Sequence, residues 1–386
     1  MNVLFRISVV LVVELIFVLF ATAQEVDYST PDIVEDVTIT NGVRHVRYVY
    51  NLIPWNINVV EIDMNENNSF LSVKGKDRIF DSRETLSSIV KRTKDDNVNV
   101  AAAINADFFH PNGDIVSSQI SKGEFVKGVT TKRSLFGIKR EGTPFIGTLN
   151  FTGDITTKGK NKININSCNT TCGVESVVVY NRYFNDTLKN NGNYKGFLLI
   201  PIDSIKNGKS YKAIVNVTND TNIILTDNKY AILANGKKAE QLKTVLRDND
   251  TVSIFLGFEK QSEEFSELLG GLPQIIKSGT DISEKQTIAE GSGVSFRDTR
   301  HPRTAIGYNK LKNSLFFVVV DGRQQISNGM TLEELASFML YIGCSEGLNL
   351  DGGGSTAMIV NDHIVNSPSD FTGERSVGNA LLLLLR

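Results

Sequence analysis

Apolar and polar residues alternate through much of residues 37–75, as they do in half-buried β-strands. Gly42, Pro54 and the Asn-rich run 65–68 interrupt the alternation and predict the turns between these strands. Residues 98–104 are instead an apolar run, interrupted only by Asn99 and without a helical period, which predicts a buried strand. Residues 37–75 and 98–104 are therefore predicted to form strands.

The last third of the chain has the most regular pattern. A helix is predicted over 332–342, since Thr331 and Glu334 form a capping box at its start and its apolar residues recur on one face. A shorter helix is predicted over 82–92. Short apolar runs predict the strands of this last third, which are 315–320, 347–350, 357–360 and 380–385.

Residues 150–290 are polar and irregular, with only short β-like pieces. The predicted fold class is therefore α+β, a mixed, strand-rich sheet architecture with a few helices and an active site at the strand ends. We predict that a β-rich segment, 24–97, packs on a catalytic domain, 98–386. Residues 150–290 are expected to be the variable part of that domain.

The amino-acid composition excludes some classes of function. The chain has 386 residues, 41% of them apolar and 22% charged, which is a globular mixture. Its 41 Lys and Arg residues balance 43 Asp and Glu residues, for a net charge of −2. General nucleic-acid binding needs a basic surface and is therefore excluded, although a local anion site is not.

The N-terminus resembles an export signal. Arg6 precedes an apolar run over 7–20 that only Glu14 interrupts, and Ala21 to Ala23 supply small residues for cleavage. The run is short of the ~20 residues that cross a bilayer. We predict a signal peptide over 1–23, a secreted, periplasmic or secretory-lumen protein, and no stable membrane anchor after cleavage.

An exported chain can form disulfides, and Cys168 and Cys172 are close enough in sequence to close a small loop. That bridge is predicted, whereas Cys344 follows a helical pattern and is predicted to be a buried free thiol. Glycosylation is also predicted if the export route carries the machinery. The sequons are at Asn67, Asn150, Asn169, Asn185, Asn216, Asn219 and Asn249.

The sharpest chemical feature is the string from Asn349 to Thr356, in which a short apolar strand runs into Asp351 and three glycines, Gly352 to Gly354. Consecutive glycines allow unusual dihedrals and close approach of a ligand to backbone amides. Such a turn can form an anion nest, to which the Ser355 hydroxyl adds a donor. The alternative is a plain hairpin turn, which needs fewer glycines.

A second feature follows the predicted strand 98–104. Asn105, Asp107 and Phe109 combine small polar groups with an aromatic ring, which suits hydrogen bonding to sugar hydroxyls and stacking on a sugar ring. The alternative is a strand that leaves the core through an aromatic plug.

Arginine is concentrated in one segment, 297–303, which ends with Arg303. Guanidinium groups suit bidentate contacts to phosphate or carboxylate, and a solvated charge run is the alternative. Carboxylates and arginines also stand next to other predicted strands. These residues are Asp321, Arg323, Glu374 and Arg375, and Asn379 adds an amide just before the last predicted strand.

Several familiar catalytic patterns are missing from the sequence. It contains no phosphate-loop motif, no His-Glu-x-x-His and no Gly-x-Ser-x-Gly. Its four His residues have no metal-ligand spacing. Neither a metal nor a cofactor is therefore predicted.

These residues together resemble the phosphodiester glycosidase family. The most specific motif is Asn-Leu-Asp-Gly-Gly-Gly-Ser at 349–355, and the resemblance covers roughly 98–386. The family usually has Gly where Asp107 stands, so this chain carries an additional carboxylate. Supporting motifs are Asn105 to Phe109, Phe136-Gly-Ile, Arg303-Thr-Ala-Ile-Gly, Asp321-Gly and 375–382.

The resemblance implies a secreted hydrolase that cleaves a sugar-1-phosphodiester, of the GlcNAc-1-phosphodiester type, at the anomeric C–O bond. Because the leaving phosphate ester is already a stable anion, stabilising negative charge matters more than protonation. The carboxylate that activates water or attacks the sugar is expected to be Asp351, then Asp321, then Glu374. Expected to bind the sugar or the phosphate are Arg303, Arg323, Gly352, Gly353, Gly354, Ser355, Asn105, Asp107, Phe109, Asn349, Arg375 and Asn379.

Two alternatives remain open at this point. The substrate could be a phosphorylated exopolysaccharide, since related chains are associated with such processing. The protein could also be a non-catalytic glycan-binding protein that uses the same cleft.

Overall fold

The computed structural model describes residues 27–66, 68–94, 98–185, 187–189, 194–203, 205–218, 222–225, 229–259 and 264–385. The predicted signal peptide, 1–23, and the sequons at Asn67 and Asn219 lie outside the described residues.

Helices are few and short in the described part of the chain. The helix predicted from residue 332 starts as expected, since Thr331 Oγ1 accepts from the Glu334 amide at 3.1 Å and Glu334 Oε2 accepts from the Thr331 amide at 2.9 Å. None of the described helices is long and apolar enough to span a bilayer. The helices are α1 (Leu86–Thr93), α2 (Gly236–Val245), α3 (Ser283–Ala289), α4 (Val294–Asp298) and α5 (Leu332–Tyr341), with single 3-10 turns at Gly75–Asp77 and Gly353–Ser355.

Strands make up most of the regular structure, which confirms the strand-rich mixed class. The first strands are β1 (Ile33–Thr40), β2 (Val43–Tyr50), β3 (Trp55–Asp63), β4 (Ser69–Lys74), β5 (Asn99–Asn105), β6 (Gln119–Ser121), β7 (Glu124–Lys127), β8 (Ser134–Lys139) and β9 (Pro144–Thr148). The central strands are β10 (Phe151–Thr156), β11 (Lys162–Ile165), β12 (Ser167–Cys168), β13 (Val177–Tyr180), β14 (Thr187–Lys189), β15 (Lys195–Pro201), β16 (Ser210–Thr218), β17 (Asn222–Ile224), β18 (Tyr230–Ala234) and β19 (Thr251–Phe258). The last strands are β20 (Phe265–Gly270), β21 (Gln274–Lys277), β22 (Thr280–Asp281), β23 (Arg303–Asn309), β24 (Ser314–Val320), β25 (Glu346–Asn349), β26 (Met358–Val360), β27 (His363–Ile364) and β28 (Asn379–Leu385).

Two sheets pack face to face and position the candidate site. One has the order β1-β2-β3-β24-β23-β25-β21-β22, and the other has the order β27-β26-β5-β28-β4. Their facing residues, such as Val60, Ile104, Phe317 and Leu381, form one apolar core. Helix α5 covers the outer face of the first sheet and α1 that of the second, which gives four layers.

Strands from the two ends of the chain share these sheets. Strand β3 pairs with β24, and β4 pairs with β28. The predicted segment 24–97 therefore contributes strands to the same two layers as the C-terminal part. The domain boundary itself stays a prediction.

The irregular pattern of 150–290 conceals a sheet, so that interpretation is corrected. Strands in this region form an eight-stranded sheet with the order β11-β10-β19-β16-β15-β18-β13-β12 and a core of their own. Burial alternates along β10, as expected where one face is solvated. The polar turns between the strands masked this alternation.

The predicted disulfide between Cys168 and Cys172 is wrong, since both are buried free thiols. Cys168 packs with Val177 and Val179, whereas Cys172 packs with Val178 and Tyr180. Successive residues of a strand point to opposite faces, so the two thiols enter separate cores on the two sides of β13. The predicted burial of Cys344, which is 3% exposed, is confirmed.

The sequon at Asn169 is buried in the structure. Its side-chain amide, which would carry a glycan, donates to the Val126 carbonyl at 2.9 Å and to the side-chain oxygen of Asn181. The folded protein therefore leaves no space for a glycan at this position, whereas Asn150 and Asn249 are exposed. Glycosylation at the other described sequons stays a prediction.

Candidate active site

Two strand ends, one from each packed sheet, meet at the candidate site. Strand β5 ends at Asn105, and β25 ends at Asn349, two residues before Asp351. The Asp351 amide donates to the Ala106 carbonyl at 2.8 Å, and Asn105 Nδ2 donates to the Asp351 carbonyl at 2.6 Å. This hydrogen-bonded junction brings Asp107 close to Asp351.

Asp351 is a partly exposed carboxylate in a poorly hydrated setting. Burial raises its pKa to about 6, and the negative charge of Asp107 adds to the rise. Hydrogen bonds from Ser355 and from the Gly352 amide, the latter at 3.0 Å, oppose the rise, as does the charge of Arg375. A carboxyl group with such a pKa can exchange a proton near neutral pH.

Asp107 is the second carboxylate of the site and is 1% exposed. Burial raises its pKa to about 6, although its oxygens accept from the Ser117 amide at 2.8 Å and the Ser117 hydroxyl at 3.3 Å. The charges of Arg133 and Lys127 partly oppose the rise. Two coupled carboxylates with raised pKa values are typical of catalytic sites.

The glycine loop does not form the predicted nest of successive open amides. Gly352 donates to Asp351 Oδ1, and Gly353 donates to the Pro302 carbonyl at 2.9 Å. Ser355 and Thr356 donate back to carbonyls of the same loop, each at 3.2 Å. Four of the five amides over 352–356 are thus used to fold the loop as a tight turn.

The glycines instead let two arginines approach the loop. Gly353 has φ +62°, and a methyl group there would lie 3.1 Å from Arg323 Nη2. At Gly354 a methyl group would overlap Arg375 and its partner Asp370, which form an ion pair at 2.7 Å. Positive charge therefore stands on both sides of the Asp351 loop, where an anionic leaving group would need it.

His301 lies beside one of these arginines, with Nδ1 3.2 Å from Arg323 Nη2. Burial and the charges of Arg303 and Arg323 lower the pKa of His301. The imidazole is therefore neutral at neutral pH and can accept a hydrogen bond from Arg323.

Sequence reasoning missed Arg133, which lies against Phe108. The Arg133 guanidinium lies over the Phe108 ring, 5.1 Å from its centroid, and its Nη1 atom is buried without a hydrogen-bond partner. A buried unpaired donor beside Asp107 is costly unless a ligand satisfies it. A single Arg before strand β8 carries no local signal, so only the fold reveals it.

Three asparagines predicted to hold the sugar lie at the site but are fully buried. Asn105 Oδ1 accepts from the Thr304 hydroxyl at 2.7 Å, and Asn379 Oδ1 accepts from the Asp107 amide at 2.8 Å. Asn349 Nδ2 donates to two carbonyls, while its Oδ1 atom is buried without a partner. Their contacts position the two carboxylates rather than offer free groups to a ligand.

Arg303 is directed into the protein, which differs from its predicted phosphate contact. Its Nε donates to the Met330 carbonyl at 2.9 Å, and its Nη2 donates to the carbonyls of Phe296 and Thr299. Burial lowers its pKa to about 10. The residue fastens the segment after α4 to strand β23.

The second- and third-ranked catalytic carboxylates have structural partners. Asp321 is fully buried, and its oxygens accept from Asn56, Asn366 and the Ser367 amide. Burial raises its pKa. Glu374 accepts from the Ser87 amide at 2.8 Å and so caps the start of α1.

Phe109 is half-buried and packs against the core beneath β28, with its Cβ 2.8 Å from where a methyl group at Gly378 would lie. This placement matches the aromatic plug better than an open stacking surface.

Within the described residues, no three His, Cys, Asp or Glu side chains group in a way that could hold a metal ion.

The comparisons with known proteins point to one family. Residues 202–384 match the family model described as phosphodiester glycosidase. N-acetylglucosamine-1-phosphodiester alpha-N-acetylglucosaminidase of Bos taurus is 31% identical over 136 residues, which are 33% of this chain and 25% of that protein. The Homo sapiens protein of the same name is 32% identical over 136 residues, 33% of this chain and 26% of that protein.

The match to these curated relatives thus spans about a quarter of their length. A solved structure of a hypothetical protein from Synechocystis has a TM-score of 0.72 at 18% identity and covers 92% of this chain and 64% of that one, so it shares the fold. The matched family segment contains Asp351, the glycine loop, Arg323 and Arg375. Through residues 202–384, just under half of its length, the chain is similar to the phosphodiester glycosidase family.

Proposed function

We propose that this protein is an exported glycosidase that hydrolyses a sugar-1-phosphodiester at the anomeric C–O bond. The observation that carries the proposal is the pairing of Asp351 with Asp107, two carboxyl groups with raised pKa values, beside Arg323 and Arg375. Export rests on residues 1–23 alone, which lie outside the described residues.

The reaction needs a carboxylate at the anomeric carbon and cations at the leaving group. Asp351 activates the attacking water as a general base, or attacks the carbon itself. The C1–O bond breaks with its electron pair moving to the phosphate oxygen, and the water oxygen ends on C1. Arg323 and Arg375 stabilise the released phosphate monoester.

Asp107 and Arg133 add a carboxylate and a cation to the site on the side of strand β5. Asp107 holds negative charge next to Asp351 and so keeps the pKa of Asp351 raised. Arg133 has an unsatisfied buried Nη1 that a substrate oxygen can occupy. We assign Arg133 to substrate binding, because a bound oxygen would remove the cost of its unpaired donor.

Turnover of a GlcNAc-1-phospho-6-mannoside in H₂¹⁸O tests the proposal. Wild type is expected to release GlcNAc with the label in the sugar, because C–O cleavage places the water oxygen on C1. Asp351→Asn is expected to lose at least about 10³-fold in kcat. The matched control is Asp362→Asn, which removes an exposed carboxylate paired with Lys94.

Three results would overturn this mechanism. They are label in the phosphate, full activity of Asp351→Asn, and the absence of turnover on any sugar-1-phosphodiester. Glycan binding that survives Asp351→Asn without turnover would instead favour the non-catalytic binding protein.

A further inference from the structure

A large cavity lies outside the candidate active site and is lined mainly by cations. Its volume is 660 Å³, which is sufficient for a bound oligosaccharide segment. The only acidic residue among its described lining residues is Asp77. The basic lining residues are Lys74, Lys76, Arg78, Arg92, Lys122 and Arg182.

Half of these cations are already engaged within the protein. Arg92 pairs with Asp77 and Glu84, at 2.7 and 2.9 Å, and Arg182 pairs with Glu124 at 3.1 Å. Lys74 is fully buried, and its Nζ donates to Ser82 Oγ and to two carbonyls. These contacts hold the wall of the cavity in place.

The remaining cations are exposed, and one of them, Arg78, donates from Nη2 to the Asp81 carbonyl at 3.2 Å. Among the described residues, Lys76, Arg78 and Lys122 form no ion pair. Three unpaired positive charges around one concavity attract an anion. In a chain with a net charge of −2, this concentration is local rather than a property of the whole surface.

A second cavity, with a volume of 490 Å³, lies next to this cluster. Lys76 lines both cavities, so they adjoin. The second cavity is also lined by Asp370 and Arg375, the pair that packs on Gly354 of the Asp351 loop. We call these two neighbouring cavities together the trench, which includes Arg375 beside that loop and the cations of the first cavity.

We propose that this trench binds the aglycone of a chain-like substrate, an oligosaccharide whose further phosphate group is held by Lys76, Arg78 and Lys122. The inference rests on the proposed function and specifies its substrate class. One phosphate sits at the cleaved bond near Arg375, and a second one further along the chain reaches the basic cavity. A sugar-1-phosphodiester with a short neutral aglycone uses only the first of these positions.

The test compares two substrates and two variants. The substrates are GlcNAc-1-phospho-6-mannoside and a synthetic oligomer of hexoses joined by 1-phosphodiesters. The trench variant is Arg78→Glu with Lys122→Glu, which changes two exposed side chains outside the catalytic machinery. The matched control is Lys158→Glu with Lys237→Glu, two exposed lysines that line neither cavity.

Wild type is expected to have a higher kcat/KM on the oligomer, by about tenfold or more, and this advantage should shrink as salt rises. The trench variant should lose the advantage and keep its rate on the short diester. The control should keep both. Equal kcat/KM on the two substrates, or an advantage retained by the trench variant, overturns the inference.

Failure of the proposed function would give a different result, since no diester would then be cleaved. The trench is then tested by calorimetric binding of the oligomer to Asp351→Asn protein. Binding that the two trench substitutions abolish supports the trench without catalysis. The absence of binding, or binding that these substitutions leave unchanged, overturns the trench as well.

Discussion

Asn105 Nδ2 donates a 2.6 Å hydrogen bond to the backbone carbonyl of Asp351, across the interface of the two packed sheets. The Asn105 Oδ1 atom also accepts from the Thr304 hydroxyl and the Ala357 amide. The buried side-chain amide of Asn105 therefore fixes the position of Asp351, which follows strand β25.

Asn105→Ala is expected to lower kcat by about 10- to 100-fold, because a small displacement of a catalytic group is costly. The melting temperature should also fall, since three buried hydrogen bonds lose a partner. The pH profile of kcat/KM separates positioning from simple destabilisation, because its acid limb should move with the environment of Asp351. Asn161→Ala, at an exposed residue, is the control. An unchanged kcat and pH profile would contradict the positioning role.

Asp107→Asn should stabilise the protein at neutral pH. Burial raises the pKa of Asp107 from 3.8 to about 6, so the folded state favours the protonated acid. The stabilisation that the folded state gains from protonated Asp107 is fully present below pH 3.8 and is lost as pH rises through about 6. The variant should gain up to about 3 kcal/mol in the free energy of unfolding at pH 7.5 and almost nothing at pH 3.5.

Urea unfolding of wild type and Asp107→Asn at the two pH values measures this difference. Asp362→Asn, at an exposed carboxylate, should show no comparable pH-dependent gain. The interpretation of Asp107 fails if the variant is less stable at pH 7.5 than at pH 3.5, relative to wild type.

Gly354→Ala should impair activity by displacing the Arg375–Asp370 pair from the loop. The charge of Arg375 lowers the pKa of Asp351, so its displacement should move the acid limb of the pH profile upwards. The matched control is Gly293→Ala, where a methyl group meets nothing within 4 Å. Identical pH profiles for the two variants would contradict contact between Arg375 and the loop.

Substitution of Arg303 is expected to affect stability, whereas substitution of Arg323 is expected to affect activity. Arg303→Met removes the donor from three carbonyls, one buried and two part-buried, and should cost about 2–4 kcal/mol of stability. Arg323→Gln should leave the melting temperature unchanged, because Arg323 is exposed, and should lower kcat/KM by about tenfold or more. Thermal melts and steady-state kinetics measure both, and the reverse pattern would overturn this assignment.

All three cysteines should react as free thiols once the chain is unfolded. Alkylation in guanidinium without reductant, followed by mass spectrometry, is expected to label Cys168, Cys172 and Cys344. The folded protein should label far more slowly, because burial raises the pKa of each thiol. A disulfide-linked peptide containing Cys168 and Cys172 would show that the separation of these thiols is wrong.

Local features of the sequence were sufficient for many of the elements. The capping box at Thr331 and the apolar period of α5 depend on neighbours within a few residues, so both were predictable. The same holds for strand β5 and for Asp351 at the end of a strand followed by a glycine loop. Burial of Cys344 followed from the same helical pattern.

Contacts between distant segments were decided only by the tertiary structure. Asp107 and Asp351 are brought together by strands from two different sheets, and no periodicity connects positions so far apart in sequence. The type of a residue likewise does not determine which face of a strand or helix it occupies. Arg303 therefore proved to fasten a loop, Arg133 entered the site without a local signal, and Cys168 and Cys172 were placed in separate cores. The sequence determined which residues carry chemistry, whereas the packing of the two sheets decided which of them can act on one substrate.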